Sequence, residues 1–217
     1  MERLMWVDIE TASINPGSHV MEIAITLTDF WLNEIASYRS TIYAPRESLM
    51  QQLSDWSRDH HQRPKYGNDD CKKSLVDLCA DSAISKPINA VEDEIINFLM
   101  ENISDRPKNG LPRIYMAGSS LHLDKSVIER QFPRLNSLVS HQLVDVTVLL
   151  ILTSRWSPSV SLGKPPNTSD HTAAGDVRSS LELLRYYKQT LFMNNFVSKK
   201  SPPACHTRKK CNKNTYA

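Results

Sequence analysis

No apolar run in this chain approaches the ~20 residues that a membrane-crossing helix needs. The nearest, Leu143 to Leu152, is interrupted by Asp145. With 40% apolar residues and a mean hydropathy of −0.41, the composition is that of a water-soluble protein with no membrane partner. No secretory signal opens the chain, because Glu2, Arg3, Asp8 and Glu10 break any apolar leader. A transit peptide is also missing, since the first expected strand begins almost at residue 1. A mitochondrial isoform would need another transcript. Cysteine is sparse. The four, at 71, 79, 205 and 211, include no paired C-x-x-C, so no zinc site is expected. Reduced thiols in an intracellular, cytoplasmic compartment are the expectation. No strong excess of one charge marks the whole chain, with 26 basic and 24 acidic residues. Residues 198–217 hold six Lys or Arg and no acid, so removing that tail from the net +2 leaves −4 for the body. A mildly acidic body argues against a protein that tracks long nucleic acid along a basic stripe. No internal repeat is visible.

What is present fits one domain. A length of 217 residues is enough to bury a core. Leu4 to Ile9 reads as a short buried strand, Val20 to Thr28 as a second and Ile35 to Tyr43 as a third, ended by Pro45. Short connections pair these three as an antiparallel meander. Leu49 to His61 reads as one helix, residues 62–74 as loop, and Pro87 to Met100 as a helix with Ile88, Val91, Ile95 and Leu99 on one face. A loop follows from Glu101 to Pro112, then a strand from Arg113 to Ala117 and a helix from Lys125 to Phe132 stopped by Pro133. Gln142 to Val146 is a fifth strand leading into a helix to about Ser154. Ser157 to Ser169 is loop, and Thr172 to Phe192 is the longest helix. This order predicts an α/β fold with a mixed five-stranded sheet flanked by helices, the ribonuclease-H-like architecture. The expected division is a domain over 1–197 and a basic, disordered tail over 198–217.

Four carboxylates and one imidazole stand out. Asp8 and Glu10 are two apart in a strand, so both point to one side. Asp124 follows a strand and a glycine, where an aspartate alone reads as a helix cap. His171 and Asp176 stand at the mouth and in the first turn of the last helix. Alone, His171 would read as an exposed loop histidine. Together they change the reading. Carboxylates brought close repel one another unless divalent cations compensate, and oxygen ligands suit Mg²⁺ or Mn²⁺. Two such ions about 4 Å apart serve phosphodiester hydrolysis, and a histidine supplies a base that titrates near neutrality.

On these residues the chain resembles a known family. Trp6-Val7-Asp8-Ile9-Glu10, Ala117-Gly118-Ser119-Ser120 with Asp124, and His171-Thr172-Ala173-Ala174-Gly175-Asp176 are similar to the three exonuclease motifs of the oligoribonucleases, DEDDh-type 3′→5′ exonucleases that include the animal small-fragment nuclease. Leu53-Ser54-Asp55-Trp56 with His60-His61, Leu143 to Thr147 and Leu181 to Tyr187 extend the likeness over roughly residues 3–193. The resemblance implies Asp8, Glu10, Asp124 and Asp176 at two divalent ions and His171 as general base. It implies short single-stranded RNA as substrate and a homodimer. It also implies that Trp56 and His61 contact a bound dinucleotide, that Ile14 wedges between its bases, and that Ser120 helps to bind the 5′ phosphate.

The departures bear on specificity. Where the family has Tyr-Arg, lent by the partner subunit to the 5′ end, this chain has His141 and Gln142. Glutamine lacks the bidentate charged contact of arginine, a loss of roughly 1.5–3 kcal/mol. Thr11-Ala12-Ser13-Ile14 replaces Met-Thr-Gly-Leu, and Gly175 replaces an aspartate at a cost of ~1 kcal/mol relative to alanine in a helix. A metal-dependent exonuclease of dinucleotides is the expected function. Two alternatives stay open: a DEDDh nuclease for longer single-stranded RNA or DNA, and a nucleic-acid-binding protein that keeps the fold without catalysis.

Overall fold

Strand β1 (Arg3–Thr11) lies at the centre of a five-stranded sheet. The computed structural model describes residues 2–67, 72–103, 113–167 and 170–193. On one side β1 pairs antiparallel with β2 (Val20–Thr28), which pairs antiparallel with β3 (Glu34–Thr41). On the other side it pairs parallel with β4 (Ile114–Gly118), which pairs parallel with β5 (Val139–Asp145). The order is β3-β2-β1-β4-β5. This is the mixed sheet expected, with the predicted meander as its antiparallel half.

Alternation along β1 sorts the layers. Met5 and Val7 join the core under α4 (Ile88–Asn102), α5 (His122–Gln131) and α6 (Pro133–Leu138). Val91, Ile95 and Leu99 of α4 are fully buried there, as their spacing predicts. Leu4 and Trp6 face the other way, into a core built with Val146 of α7 (Val146–Trp156) and Val177 and Leu181 of α9 (Ala173–Tyr187). Trp6 carries its one polar atom to Thr28 Oγ1 at 3.1 Å, so the largest buried ring leaves no unsatisfied donor. A third cluster joins Met21 of β2 to Leu49 and Cys79. The Cys79 thiol is free and buried, and burial pushes its pKa up to about 12, so it is inert packing.

Several expected elements differ. The helix expected over Leu49 to His61 is two, α1 (Arg46–Gln52) and α2 (Asp55–His61). Ser54 interrupts it: its amide donates to Ala12 O at 3.0 Å and its hydroxyl caps α2 through Ser57 N. A short α3 (Leu75–Ala80), closed by a Ser74–Asp77 capping box, was not anticipated. Pro133 opens α6 rather than merely ending α5, since proline suits the first helical position. The loop after Ser157 contains α8 (Pro158–Leu162), which starts on a proline in the same way. The last helix narrows to α9 and then widens into a π-helical turn over Lys188–Met193. The tail at 198–217 lies outside the described residues, as do most of the loop expected over Glu101 to Pro112 and part of that over residues 62–74. Among the described residues no helix is long and apolar enough to cross a membrane.

Candidate active site

The alternation that buries Leu4 and Trp6 under α9 sends Asp8 and Glu10 to the same face. Thr172 caps α9 by accepting from Gly175 N, which sets Asp176 in the first turn. The result is a cluster. One carboxylate oxygen from each of Asp8, Glu10 and Asp176 lies within 4.8 Å of the others. The hard oxygen donors of that set suit a divalent cation of the Mg²⁺ or Mn²⁺ type.

Asp124 comes from the opposite layer. It is not the cap of α5, a place held by Leu121, but lies within the first turn. Its Oδ1 accepts from Ile9 N at 2.9 Å, so it reaches over the end of β1 between Asp8 and Glu10. A second anchor fixes the turn before it. Asp145, at the end of β5, accepts from Ser120 N at 3.1 Å and Leu121 N at 3.0 Å while capping α7. Ser120 is held in the left-handed region at φ 54. Gly118 is required here by close approach, because a Cβ on it would lie 2.9 Å from Val7 O.

Electrostatics mark the cluster as unusual. Burial, then the neighbouring Asp124, Glu10 and Asp176, raises Asp8 well above the ordinary aspartate range. Burial, then Asp176 and Glu22, pushes Glu10 up to about 8, with Lys65 opposing. Burial raises Asp124 to about 7, although its bond from Ile9 N works the other way. A divalent cation would relieve all three.

Glu22 was missed by sequence reasoning. It pairs directly with Glu10 across β1 and β2, and it is fully buried. Arg39 forms an ion pair with it, Tyr66 Oη donates to it at 2.9 Å, and Ala173 N donates to it at 3.1 Å. Glu22 therefore ties the start of α9 to the sheet beside the cluster. A charged residue within an otherwise apolar and threonine-bearing strand was the available signal.

His171 stands just before α9 in the left-handed region, at φ 55. Lys65 Nζ donates to the carbonyls of Asp170 at 2.7 Å and His171 at 3.4 Å. The Asp170 carboxylate bonds Thr172 N at 3.1 Å and Thr172 Oγ1 at 2.7 Å. A Cβ on Gly175 would meet that carboxylate at 2.2 Å, so the glycine leaves Asp170 its place. The His171 ring packs edge-on to Trp56, with centroids 5.6 Å apart, and to His60 at 4.7 Å. His60 is stacked on Trp56 at 4.1 Å.

The remaining expected contacts divide. Ile14, 86% exposed, and Trp56, 52% exposed, line one cavity of about 570 Å³ that reaches Glu10 and Asp124. Ser120 lines a second cavity of similar size that reaches Asp8 and Asp176. His61 is instead 1% exposed, with its Nε2 3.5 Å from Glu10 Oε2 and neither ring nitrogen hydrogen-bonded. Burial, then Lys65, holds its pKa down at about 4, so the ring beside Glu10 is neutral and the pair is a contact rather than an ion pair. His141 and Gln142 are exposed on β5 and line neither cavity.

Sheet order, flanking layers and acidic cluster define the ribonuclease-H-like architecture of the DEDD exonucleases. Solved structures of exonuclease I share it. That from Methylocaldum szegediense matches 91% of the chain with TM-score 0.60 and 20% identity, and a zinc-bound form of the E. coli enzyme with single-stranded DNA matches with TM-score 0.63 and 15% identity. The chain spans only 43% of each of those chains. Among curated proteins the chain is similar to the oligoribonucleases. It is 28% identical over 190 residues to that of Nitrosomonas europaea, covering 87% of this chain and 95% of that one. It is 28% identical over 193 residues to that of Mycobacterium tuberculosis, covering 88% and 82%. It is 26% identical over 200 residues to the mitochondrial oligoribonuclease of Homo sapiens, covering 92% and 77%. No family model matches. The fold and the family resemblance expected from the three motifs are both borne out.

Proposed function

We propose that this chain is a metal-dependent 3′→5′ exonuclease that degrades very short RNA, dinucleotides above all, to 5′-mononucleotides. The observation that carries the reading is the junction of the Asp8, Glu10 and Asp176 cluster with the cavity of Ile14 and Trp56. Asp8, Glu10 and Asp176 hold the ions, and Asp124 completes the site from its bond to Ile9 N. Two bound Mg²⁺ or Mn²⁺ ions supply Lewis-acid activation of the scissile phosphodiester. His171 takes the proton of the attacking water. Ile14 and the open face of Trp56 receive the bases, Ser120 receives phosphate, and His61 backs Glu10 as a neutral ring. The carboxyls hold their protons unusually tightly without metal, so metal loading is coupled to proton release at Asp8, Glu10 and Asp124.

The chain acts as a homodimer in an intracellular compartment, cytoplasmic or mitochondrial. Val148, Ile151 and Trp156 of α7 and Leu162 of α8 are exposed apolar side chains on the β5 side, an area that a second copy would cover. His141 and Gln142 are exposed on the edge strand β5, which supports the reading that they are lent to a partner's site.

Hydrolysis of a 5′-labelled dinucleotide with Mn²⁺, with and without its 5′ phosphate and beside a 20-mer, tests the reading. Preferential loss of the phosphorylated dinucleotide is expected. Unchanged activity in Asp8→Asn or Asp176→Asn would sink it. The second reading, a nuclease for longer single-stranded RNA or DNA, is favoured by Gln142 in place of an arginine, and equal rates on dinucleotide and 20-mer would establish it. Binding of nucleic acid without hydrolysis under any divalent ion would leave a non-catalytic binder.

A further inference from the structure

His60 takes no part in the chemistry proposed above, yet its ring touches two residues that do. It stands in the last turn of α2, four residues after Trp56, and residues at that spacing share a helix face. Its imidazole covers one face of the Trp56 ring, with centroids 4.1 Å apart and planes 17° from parallel. Its Nδ1 lies 2.8 Å from Trp56 O. A carbonyl only accepts, so Nδ1 is the donor and the imidazole is tied to the backbone of the residue on which it stacks. The next residue, His61, turns about 100° away around the helix and is buried against Glu10 instead. Trp56 is 52% exposed and lines the cavity with Ile14, whereas the half-buried His60 does not, so His60 lies on the far side of the indole. The His171 ring stands across this stack. It is 78° from the plane of His60 and 88° from that of Trp56, and His60 is the nearer of the two, at 4.7 against 5.6 Å. Offset-stacked and edge-to-face pairs are the arrangements that aromatic rings favour.

We propose that His60 is a positioning residue for the proton transfer: its ring joins the base-binding indole of Trp56 to the general base His171, so that the two are held as one unit. This rests on the exonuclease reading and deepens it. His171 lies outside α9, on a residue in the left-handed region, so no helix of its own directs its side chain. Lys65 anchors its backbone through two carbonyls, and the rings of α2 limit how the imidazole can turn. A nucleobase on the open face of Trp56 makes a three-layer stack with His60 at the back, and His171 rests against the side of that stack. Binding a base thereby steadies the rings that hold the proton acceptor. A reacting group misplaced by about 1 Å can cost on the order of a hundredfold in rate. The support given by His60 is therefore felt in kcat, while the face of Trp56 that meets the base is left in place for binding.

Hydrolysis of a 5′-phosphorylated diadenylate with Mn²⁺ tests this. His60→Ala and His60→Gln both remove the ring, and the second keeps a polar side chain suited to a helix. Each is expected to lower kcat about tenfold, part of what a 1 Å misplacement costs, with KM little changed. His60→Phe keeps a flat ring and should recover most of the rate, because ring packing is the property invoked. The sharpest readout is the background. In His171→Ala the acceptor is gone, so adding His60→Ala should lower kcat no further, since residues that act through one step are not additive. Binding of the diadenylate with Ca²⁺ in place of the catalytic ion, followed by calorimetry, shows that each variant is folded. Unchanged kcat in His60→Ala and His60→Gln overturns the proposal, as does a loss carried by KM alone or a His60→Phe variant as slow as His60→Ala. A further loss of the same size in the His171→Ala background also overturns it, because His60 would then act elsewhere. So does loss of diadenylate binding in both ring-free variants, which would make His60 a support of α2 itself. A wild type that hydrolyses nothing removes the exonuclease reading and this proposal with it, whereas an active wild type with an indifferent His60→Ala removes this proposal alone.

Discussion

Asp124 Oδ1 accepts the amide proton of Ile9 at 2.9 Å across 115 residues of chain. That bond places the third acid between Asp8 and Glu10 and also satisfies a strand-end donor, so charge and docking are separable. Asp124→Asn keeps an acceptor and should remain folded while losing at least about a hundredfold in hydrolysis, the scale of one misplaced catalytic group. Asp124→Ala should lose the same activity and, in addition, about 1–3 kcal/mol of stability through the orphaned Ile9 amide. Urea melts beside turnover assays separate the two. Equal stability of both variants would show that the bond does not dock α5.

Glu22 gathers Arg39, Tyr66 Oη and Ala173 N around one buried carboxylate. Glu22→Ala leaves the hydroxyl and the amide without a partner and should cost about 1–3 kcal/mol. Glu22→Gln should cost less. It should also lower the Glu10 pKa from about 8 in the metal-free protein, because Glu22 is one of the charges that raise it. A carboxyl-detected NMR titration measures this directly, and an unmoved Glu10 would show that the two side chains do not feel each other.

The raised carboxyls predict how stability depends on pH without metal. Glu10 moves from 4.5 to about 8 and Asp124 from 3.8 to about 7, so the folded state holds protons that the unfolded chain has released. Their stabilising contribution is complete below the unfolded values and is lost as pH rises through the folded ones. His61 acts oppositely, with its pKa lowered from 6.5 to about 4, so its contribution is lost as pH falls through that range. The two effects oppose each other below pH 6.5, and above it only the carboxyls act. Tm of the metal-free protein should therefore fall between pH 6.5 and 8. Added Mn²⁺ should restore it, more strongly at the higher pH, because bound carboxylates must be deprotonated. A flat metal-free Tm over that window would contradict the burial of charge at this site.

Lys65 fixes the backbone on which His171 stands, by its bonds to the Asp170 and His171 carbonyls. Lys65→Met should lower kcat about tenfold, equivalent to ~1.4 kcal/mol, with KM for a dinucleotide little changed. Lys65→Arg should recover most of it, since it restores a charged donor. A rise in KM with kcat intact would instead place Lys65 in substrate binding.

The chain's local pattern reached far. Alternation in Leu4 to Glu10 already required Asp8 and Glu10 to share a face, and the 3.6-residue spacing of Val91, Ile95 and Leu99 already marked a buried helix face. Both follow from backbone geometry alone. Strand order was accessible for the meander, whose connections are short. The break at Ser54 was a cap signal inside an apolar pattern, and Pro133 and Pro158 were starts read as stops or as loop. What local sequence could not supply was the third dimension of the site. The face of the sheet that α9 covers brings Asp176 to Asp8 and Glu10, and it is chosen by packing of Val177 and Leu181 on Leu4 and Trp6. The tie from Glu22 to Ala173, the bond from Ile9 to Asp124 and the burial of His61 against Glu10 join residues 51 to 151 positions apart. Sequence determined which groups exist and which way each points along its own element. Only the tertiary structure decided which groups meet, because long-range contacts depend on how whole layers bury their apolar faces, not on any local period.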